Sequence, residues 1–207
     1  MSQYFDVHPT HPQPRLLSQA AEIVRDGGVI AYPTDSCYAL GCHIGDKDAM
    51  AKLRRIRGLD ERHHFTLMCR DLSELAAFAR TDNAQYRLLK KLTPGPYTFI
   101  LEGTRELPRR LLHPRRKTIG VRIPNHPVVQ GLMHELDEPL LSTTLILPGE
   151  ATPLEDPQLI RRLLEHELDL IIDAGPCGTE MTTVVDLTGN AVEIVREGKG
   201  AIAPLAH

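Results

Sequence analysis

An α/β fold, a twisted mixed parallel and antiparallel sheet with helices on its faces, is what this sequence predicts, and three observations predict it. About eight apolar or β-branched runs alternate with about six stretches of helical periodicity along the 207 residues. The run at 29–32, Val-Ile-Ala-Tyr, is apolar without alternation, as in a strand covered on both faces. Near the C-terminus the runs at 183–187 and 192–195 lie close together and read as a hairpin pair, so the sheet mixes directions. Hydrophobic residues at 42% and charged residues at 25% suit an ordinary globular chain of one domain. We expect residues 1–13 as an N-terminal arm, loose or laid along a sheet edge, and residues 14–207 as a single domain.

The elements follow in order. From Arg15, the residues Leu16, Leu17, Ala20, Ala21, Ile23 and Val24 recur at helical spacing, and Gly27 and Gly28 stop the helix. Residues 28–41 are the stretch around which the rest is organised. Pro33 lacks a backbone donor and ends the first strand. Thr34, Asp35 and Ser36 follow at its carboxyl end, where open α/β sheets hold ligands, and a second apolar run begins at Cys37. Asp46 caps a helix bearing Ala49, Met50, Leu53 and Ile56. Its last turn carries Arg54, Arg55 and Arg57, and Gly58 ends it. Residues 65–69 read as a strand, and Asp71 and Asp82 each cap a helix. Thr93-Pro94-Gly95-Pro96 is a rigid loop ahead of a strand at 97–101. The segment 105–117, broken by Pro108 and Pro114, is a short helix or loop. A strand at 118–123, a helix from Pro127 and an apolar run at 140–147 come next. Residues 148–157 are the most linker-like, ahead of a helix at 159–168 and strands at 170–172, 183–187 and 192–195.

Several functions are excluded at this stage. No run approaches the ~18 apolar residues of a membrane span, and the N-terminus has neither the basic start nor the apolar core of a signal peptide. Cys37, Cys42, Cys69 and Cys177 show no C-x-x-C spacing and read as reduced, mostly buried thiols of a cytoplasmic protein. Phosphate-loop, dinucleotide and zinc-protease motifs are absent, the ten histidines are scattered apart from His63-His64, and we expect no metal site. Aromatic residues make up 4% of the chain, with no Trp, so ring platforms for nucleobases are scarce. Charge is uneven. The net −3 contains a segment at 52–57 carrying +4 and one at 105–117 carrying +5 from Arg105, Arg109, Arg110, Arg115, Arg116 and Lys117 against Glu106. An acidic body with two basic segments points to a localised anion site. Small hydroxyls sit at strand ends: Thr34, Ser36, Ser142, Thr143, Thr144, Thr182 and Thr183. Guanidinium forks are available from Arg55, Arg57, Arg122 and Arg196. Arg122, inside an apolar strand, either points to solvent or lines a site. Together these residues suit a small anionic ligand such as a nucleotide or a carboxylate.

The same residues carry a resemblance. Tyr32-Pro33-Thr34-Asp35-Ser36 with Tyr38 and Gly41, Pro94-Gly95-Pro96 with Thr98, Gly120-Val121-Arg122-Ile123-Pro124 with His126-Pro127, Leu141-Ser142-Thr143-Thr144, Thr182-Thr183-Val184-Val185-Asp186 and Arg196-Glu197-Gly198 occur in the order of the signature blocks of the YrdC/YciO family. Residues 65–72 resemble its YciO branch. The resemblance implies a YrdC-like fold with a concave basic surface. It implies the chemistry of threonylcarbamoyl-adenylate synthases, which use L-threonine, bicarbonate and ATP with Mg²⁺ on the way to tRNA modification. It places the threonine near Thr34, Tyr38, Arg122 and Thr182, and the ATP or AMP phosphates near Arg55, Arg57, Ser142, Thr144 and Arg196. A hydrolase of threonylcarbamoyl groups is the other enzymatic expectation. On charge, Arg109, Arg110, Arg115, Arg116 and Lys117 are the expected contacts to tRNA or other structured, double-stranded RNA. Two departures stand out. The synthase K-x-R reads Arg55-Ile56-Arg57, and the synthase S-x-N reads Thr144-Leu145-Ile146, where Ile146 cannot hydrogen-bond as an amide does. Thr93 stands where the family carries Trp.

Overall fold

The computed structural model describes residues 1–60 and 63–205. Its eleven strands form one sheet flanked by six α-helices, as expected for a mixed α/β chain. In chain order the elements are β1 (Gln3–Asp6), α1 (Pro14–Arg25), β2 (Ile30–Tyr32), β3 (Ala39–His43), α2 (Lys47–Arg57), β4 (Thr66–Met68), α3 (Leu72–Phe78), β5 (Ala79–Arg80), α4 (Asn83–Leu92) and β6 (Tyr97–Gly103). They continue with β7 (Thr118–Arg122), α5 (Pro127–Leu136), β8 (Leu140–Thr144), α6 (Pro157–Leu164), β9 (Leu170–Asp173), β10 (Thr183–Asp186) and β11 (Glu193–Arg196). The segment at 105–117 holds only a short 3-10 turn, Arg109–Leu111.

The helix boundaries follow from local chemistry. The Asp46 carboxylate accepts from the backbone N–H groups of Asp48 and Ala49. Asp82 and Gln85 close a reciprocal capping box on α4. Gly58 ends α2 at φ 62°, a left-handed conformation that glycine adopts without the Cβ penalty. Pro14, Pro127 and Pro157 each open a helix where a missing N–H costs nothing.

Strand order is β1-β9-β2-β3-β8-β4-β7-β6-β10-β11, with β5 added on β6. Pairs β1/β9, β2/β9, β4/β7 and β6/β10 are parallel, and β2/β3, β3/β8, β4/β8, β6/β7 and β10/β11 are antiparallel. The expected hairpin near the C-terminus is β10/β11. Residues 3–6, expected as part of an arm, form the edge strand β1. The alternating pleat accounts for two cores. Ala31, Leu40, Leu67, Phe99, Val121 and Leu141 pack on one face with α2 and α6. Ile30, Tyr32, Ala39, Met68 and Leu140 pack on the other with α1 and α5. Cys37, Cys42 and Cys69 are buried and Cys177 half-buried, all as free thiols. Among the described residues no helix is long and apolar enough to cross a membrane.

Candidate small-ligand site

Helices α1 and α5 cover only part of their face of the sheet. Beyond them a cavity of about 260 Å³ opens, and alternate residues of four strands form its floor: Thr66 and Met68 of β4, Thr98 and Ile100 of β6, Thr118, Gly120 and Arg122 of β7, and Val184 of β10. The residues between them, Leu67, Phe99, Ile119 and Val121, are core on the opposite face. A Cβ at Gly120 would stand 3.4 Å from Thr66 Oγ1 and 3.5 Å from Thr98 Cγ2, so glycine there keeps the floor open between two threonines.

Arg122 dominates the site. Its side chain is 7% exposed and its Nη2 meets an internal cluster of oxygens: Asp35 Oδ1 in a short ion pair, Ser36 Oγ at 3.0 Å and Thr34 Oγ1 at 3.2 Å. Its buried Nε–H finds no acceptor among the described residues. A buried unpartnered donor is costly, and a guanidinium has donors to spare on its other edge. The Thr34 hydroxyl is the hub of the turn. It accepts from Ser36 N (3.1 Å) and Cys37 N (3.2 Å) and donates to Cys37 O (2.7 Å). Asp35 is held from three sides, since Asn125 N donates to its Oδ2 at 2.8 Å and Lys199 Nζ to its carbonyl at 2.5 Å.

The second guanidinium is Arg196, at the end of β11. Its Nε and Nη2 donate to Thr182 O at 3.2 and 2.9 Å, and Nη2 also reaches Thr182 Oγ1 at 3.3 Å. Thr182 Oγ1 lies 2.8 Å from Thr98 Oγ1. No carboxylate pairs with Arg196 among the described residues, so its charge is available to a ligand. Gly198 makes this turn possible: a Cβ there would fall 2.3 Å from Met181 O. Burial pushes the Cys37 thiol up, so the cavity's own cysteine stays protonated and is not a poised nucleophile.

The sequence-derived residues divide cleanly. Arg122, Thr182, Ser142, Thr144 and Arg196 line the cavity together, as does Arg116, which also pairs with Asp186 at 3.2 Å. Thr34 stands behind Arg122 and acts through it. Tyr38, expected beside threonine, is fully buried and its hydroxyl donates to Gly175 O at 2.8 Å, so it supports the turn from below. Arg55 points away: it is 69% exposed and pairs with Glu167 at 2.9 Å, because the helical step from Arg57 places it on another side of α2. Arg57 is half-buried, its Nε unpartnered among the described residues. Its charge, after burial, helps hold His63 below the ordinary imidazole range, and His63 lines the cavity. Arg109, Arg110, Arg115 and Lys117 line a neighbouring hollow of about 820 Å³. The sequence reading gave Thr66, Thr98 and Thr118 no role in the site, although Thr98 stands in one of the signature blocks. The signal was present for β7, since polar or small residues alternate with apolar ones through Thr118-Ile119-Gly120-Val121-Arg122, which marks a sheet face left uncovered.

Fold and site together define an α/β protein in which hydroxyls and the guanidiniums of Arg116, Arg122 and Arg196 share one hollow. The family model Sua5/YciO/YrdC, described as "Telomere recombination", matches residues 22–198. The chain belongs to that family. It is 56% identical over 204 residues to "Uncharacterized protein YciO" of Escherichia coli (strain K12), covering 99% of each chain. The crystal structure of E. coli YciO superposes with a TM-score of 0.95 over 99% of this chain and 100% of that one. The chain is 31% identical over 189 residues to the threonylcarbamoyl-AMP synthase of Bos taurus, across 91% of this chain and 67% of that one. P. abyssi Sua5 complexed with L-threonine shares the fold, with a TM-score of 0.86 at 23% identity over 95% of this chain and 58% of that one.

Proposed function

We propose that the cavity binds L-threonine or a threonylcarbamoyl group together with ATP or AMP, in the metabolism of threonylcarbamoyl-modified tRNA. The observation that carries this is the buried Arg122, which lines the cavity, is fixed by three oxygens through Nη2 and keeps a buried Nε–H with no acceptor among the described residues. A carboxylate satisfies that edge with charge-assisted hydrogen bonds. Asp35 already balances Arg122, so the added negative charge needs Arg196, which faces the same hollow. Thr182, Ser142 and Thr144 supply hydroxyls for the amine, the carbamoyl group and the phosphates. Mg²⁺ would be held chiefly by the phosphates and would neutralise their charge, since the described cavity lining offers the hydroxyls of Ser142, Thr144 and Thr182 and no carboxylate. The site works by positioning and charge stabilisation, with no side-chain nucleophile.

Titration calorimetry with L-threonine and with AMP tests the reading, alongside mass spectrometry of reactions holding ATP, threonine and bicarbonate. We expect binding of both ligands. We expect adenylate formation about 10²-fold slower than in a synthase with an intact S-x-N segment, since Ile146 removes a polar contact. Arg55→Ala should leave threonine and AMP affinity unchanged. Absence of heat with either ligand at millimolar concentration removes the proposal.

A second reading concerns RNA. The neighbouring hollow carries Arg54, Arg109, Arg110, Arg115 and Lys117 and no carboxylate among its described lining residues. Such a surface suits the phosphates of tRNA or another structured RNA, with affinity that falls steeply as salt rises.

A further inference from the structure

The small cavity and the basic hollow share one wall. His63, His64, Phe65 and His113 line both. At its centre the His64 and His113 rings lie with centroids 4.7 Å apart and planes tilted by 37°. His64 is exposed, and nothing but this ring contact holds it among the described residues. On one side of the ring pair are the cations. On the other is a hollow of about 260 Å³ floored by Thr66, Thr98 and Thr118, too small for a duplex and of a size for one flat heterocycle.

We propose that an RNA seats its phosphates in the basic hollow and lays one unpaired base over the exposed His64 ring, past its contact with His113, into the threonine-floored cavity. This rests on the RNA reading above, and the base takes the cavity in place of the threonine and nucleotide of the first reading. Three properties of the site and one of the RNA fit such a base. The outer hollow is lined by Arg54, Arg109, Arg110, Arg115 and Lys117 with no carboxylate among its described lining residues, which suits a polynucleotide backbone. The imidazole of His64 is held below its ordinary value by burial and by His113, Arg116 and Arg54, so at neutral pH it presents an uncharged flat face for stacking. The threonine hydroxyls both donate and accept, so they match the edge of any base. A paired base has to leave its stack to reach them, which is least costly at a bulge.

The test uses a hairpin RNA with a single-nucleotide bulge carrying 2-aminopurine, and the same hairpin with that position removed. We expect the bulged hairpin to bind about tenfold tighter, the worth of one stacked base, with 2-aminopurine emission rising on binding. His64→Ala should erase the preference and the emission change while leaving the salt dependence intact, and His64→Phe, which keeps a flat ring, should retain the preference. Arg109→Ala and Arg115→Ala should weaken both hairpins alike and flatten the salt dependence. Equal, salt-dependent binding of the two hairpins with unchanged emission overturns the base-entry proposal and leaves the RNA reading standing. Binding of neither hairpin overturns both.

Discussion

Arg122→Ala should lower threonine affinity at least a hundredfold and reduce the melting temperature by about 10 °C. The two effects have one cause. Arg122 and Asp35 are 7% and 9% exposed, so truncating the arginine leaves a buried carboxylate without its counter-charge. Such losses cost about 3 kcal/mol or more, and in a domain of this size each kcal/mol corresponds to about 3 °C. Arg122→Lys separates the roles. An ammonium keeps Asp35 neutralised and recovers part of the melting temperature, but it lacks the second donor edge and should not recover threonine affinity. Arg162→Ala, on the exposed side of α6, should change neither. Scanning calorimetry and threonine titrations on the three variants check this. Threonine affinity preserved in Arg122→Ala would reduce the guanidinium to a structural brace.

Thr34→Val is the second large effect, although Thr34 is not part of the cavity wall. The substitution keeps the side chain's shape and removes its oxygen. Ser36 N, Cys37 N and Arg122 Nη2 each lose an acceptor, and Cys37 O loses a donor. We expect about 2 kcal/mol of destabilisation, a melting temperature lower by about 6 °C, and weaker threonine binding because Arg122 is no longer aimed. Thr34→Ser should restore most of both. Combined with Arg122→Ala, the cost of Thr34→Val should be less than additive, since both changes break one cluster. Full additivity in denaturant titrations would mean that the turn and the arginine act separately.

How much of this was legible in the sequence depends on the length scale. The caps of Asp46, Asp71 and Asp82, the stop at Gly58 and the helix start at Pro127 are encoded within three or four residues, and the structure has them where the sequence indicates; the last helix, read as 159–168, instead runs Pro157–Leu164 and takes its first proline from the stretch read as a linker. Residues 3–6 were harder to place, because their burial is shallow and their pairing with β9 reaches across the whole chain. Arg122 presented two alternatives, solvent or site. The choice depends on which sheet face helices α1 and α5 leave bare, and no local pattern states that. Arg55 and Arg57 show the same limit from the other side. Their motif resemblance treats them alike, yet two residues along a helix is a large rotation, and only Arg57 lies near enough to the cavity-lining His63 to act on its charge. The histidine wall escaped because imidazoles were weighed as metal ligands and not as ring surfaces.

The oxygen cluster around Arg122 also bears on how the chain reaches its native state. The 33–38 turn is closed by bonds spanning two or three residues, whereas the guanidinium arrives from a strand 88 residues further on. A half-assembled chain can hold the turn without the arginine, and such a species has no place for threonine. Threonine should therefore act as a brake on the unfolding limb of a stopped-flow chevron and leave the refolding limb where it was. That outcome would place the arrival of Arg122 after the folding transition state.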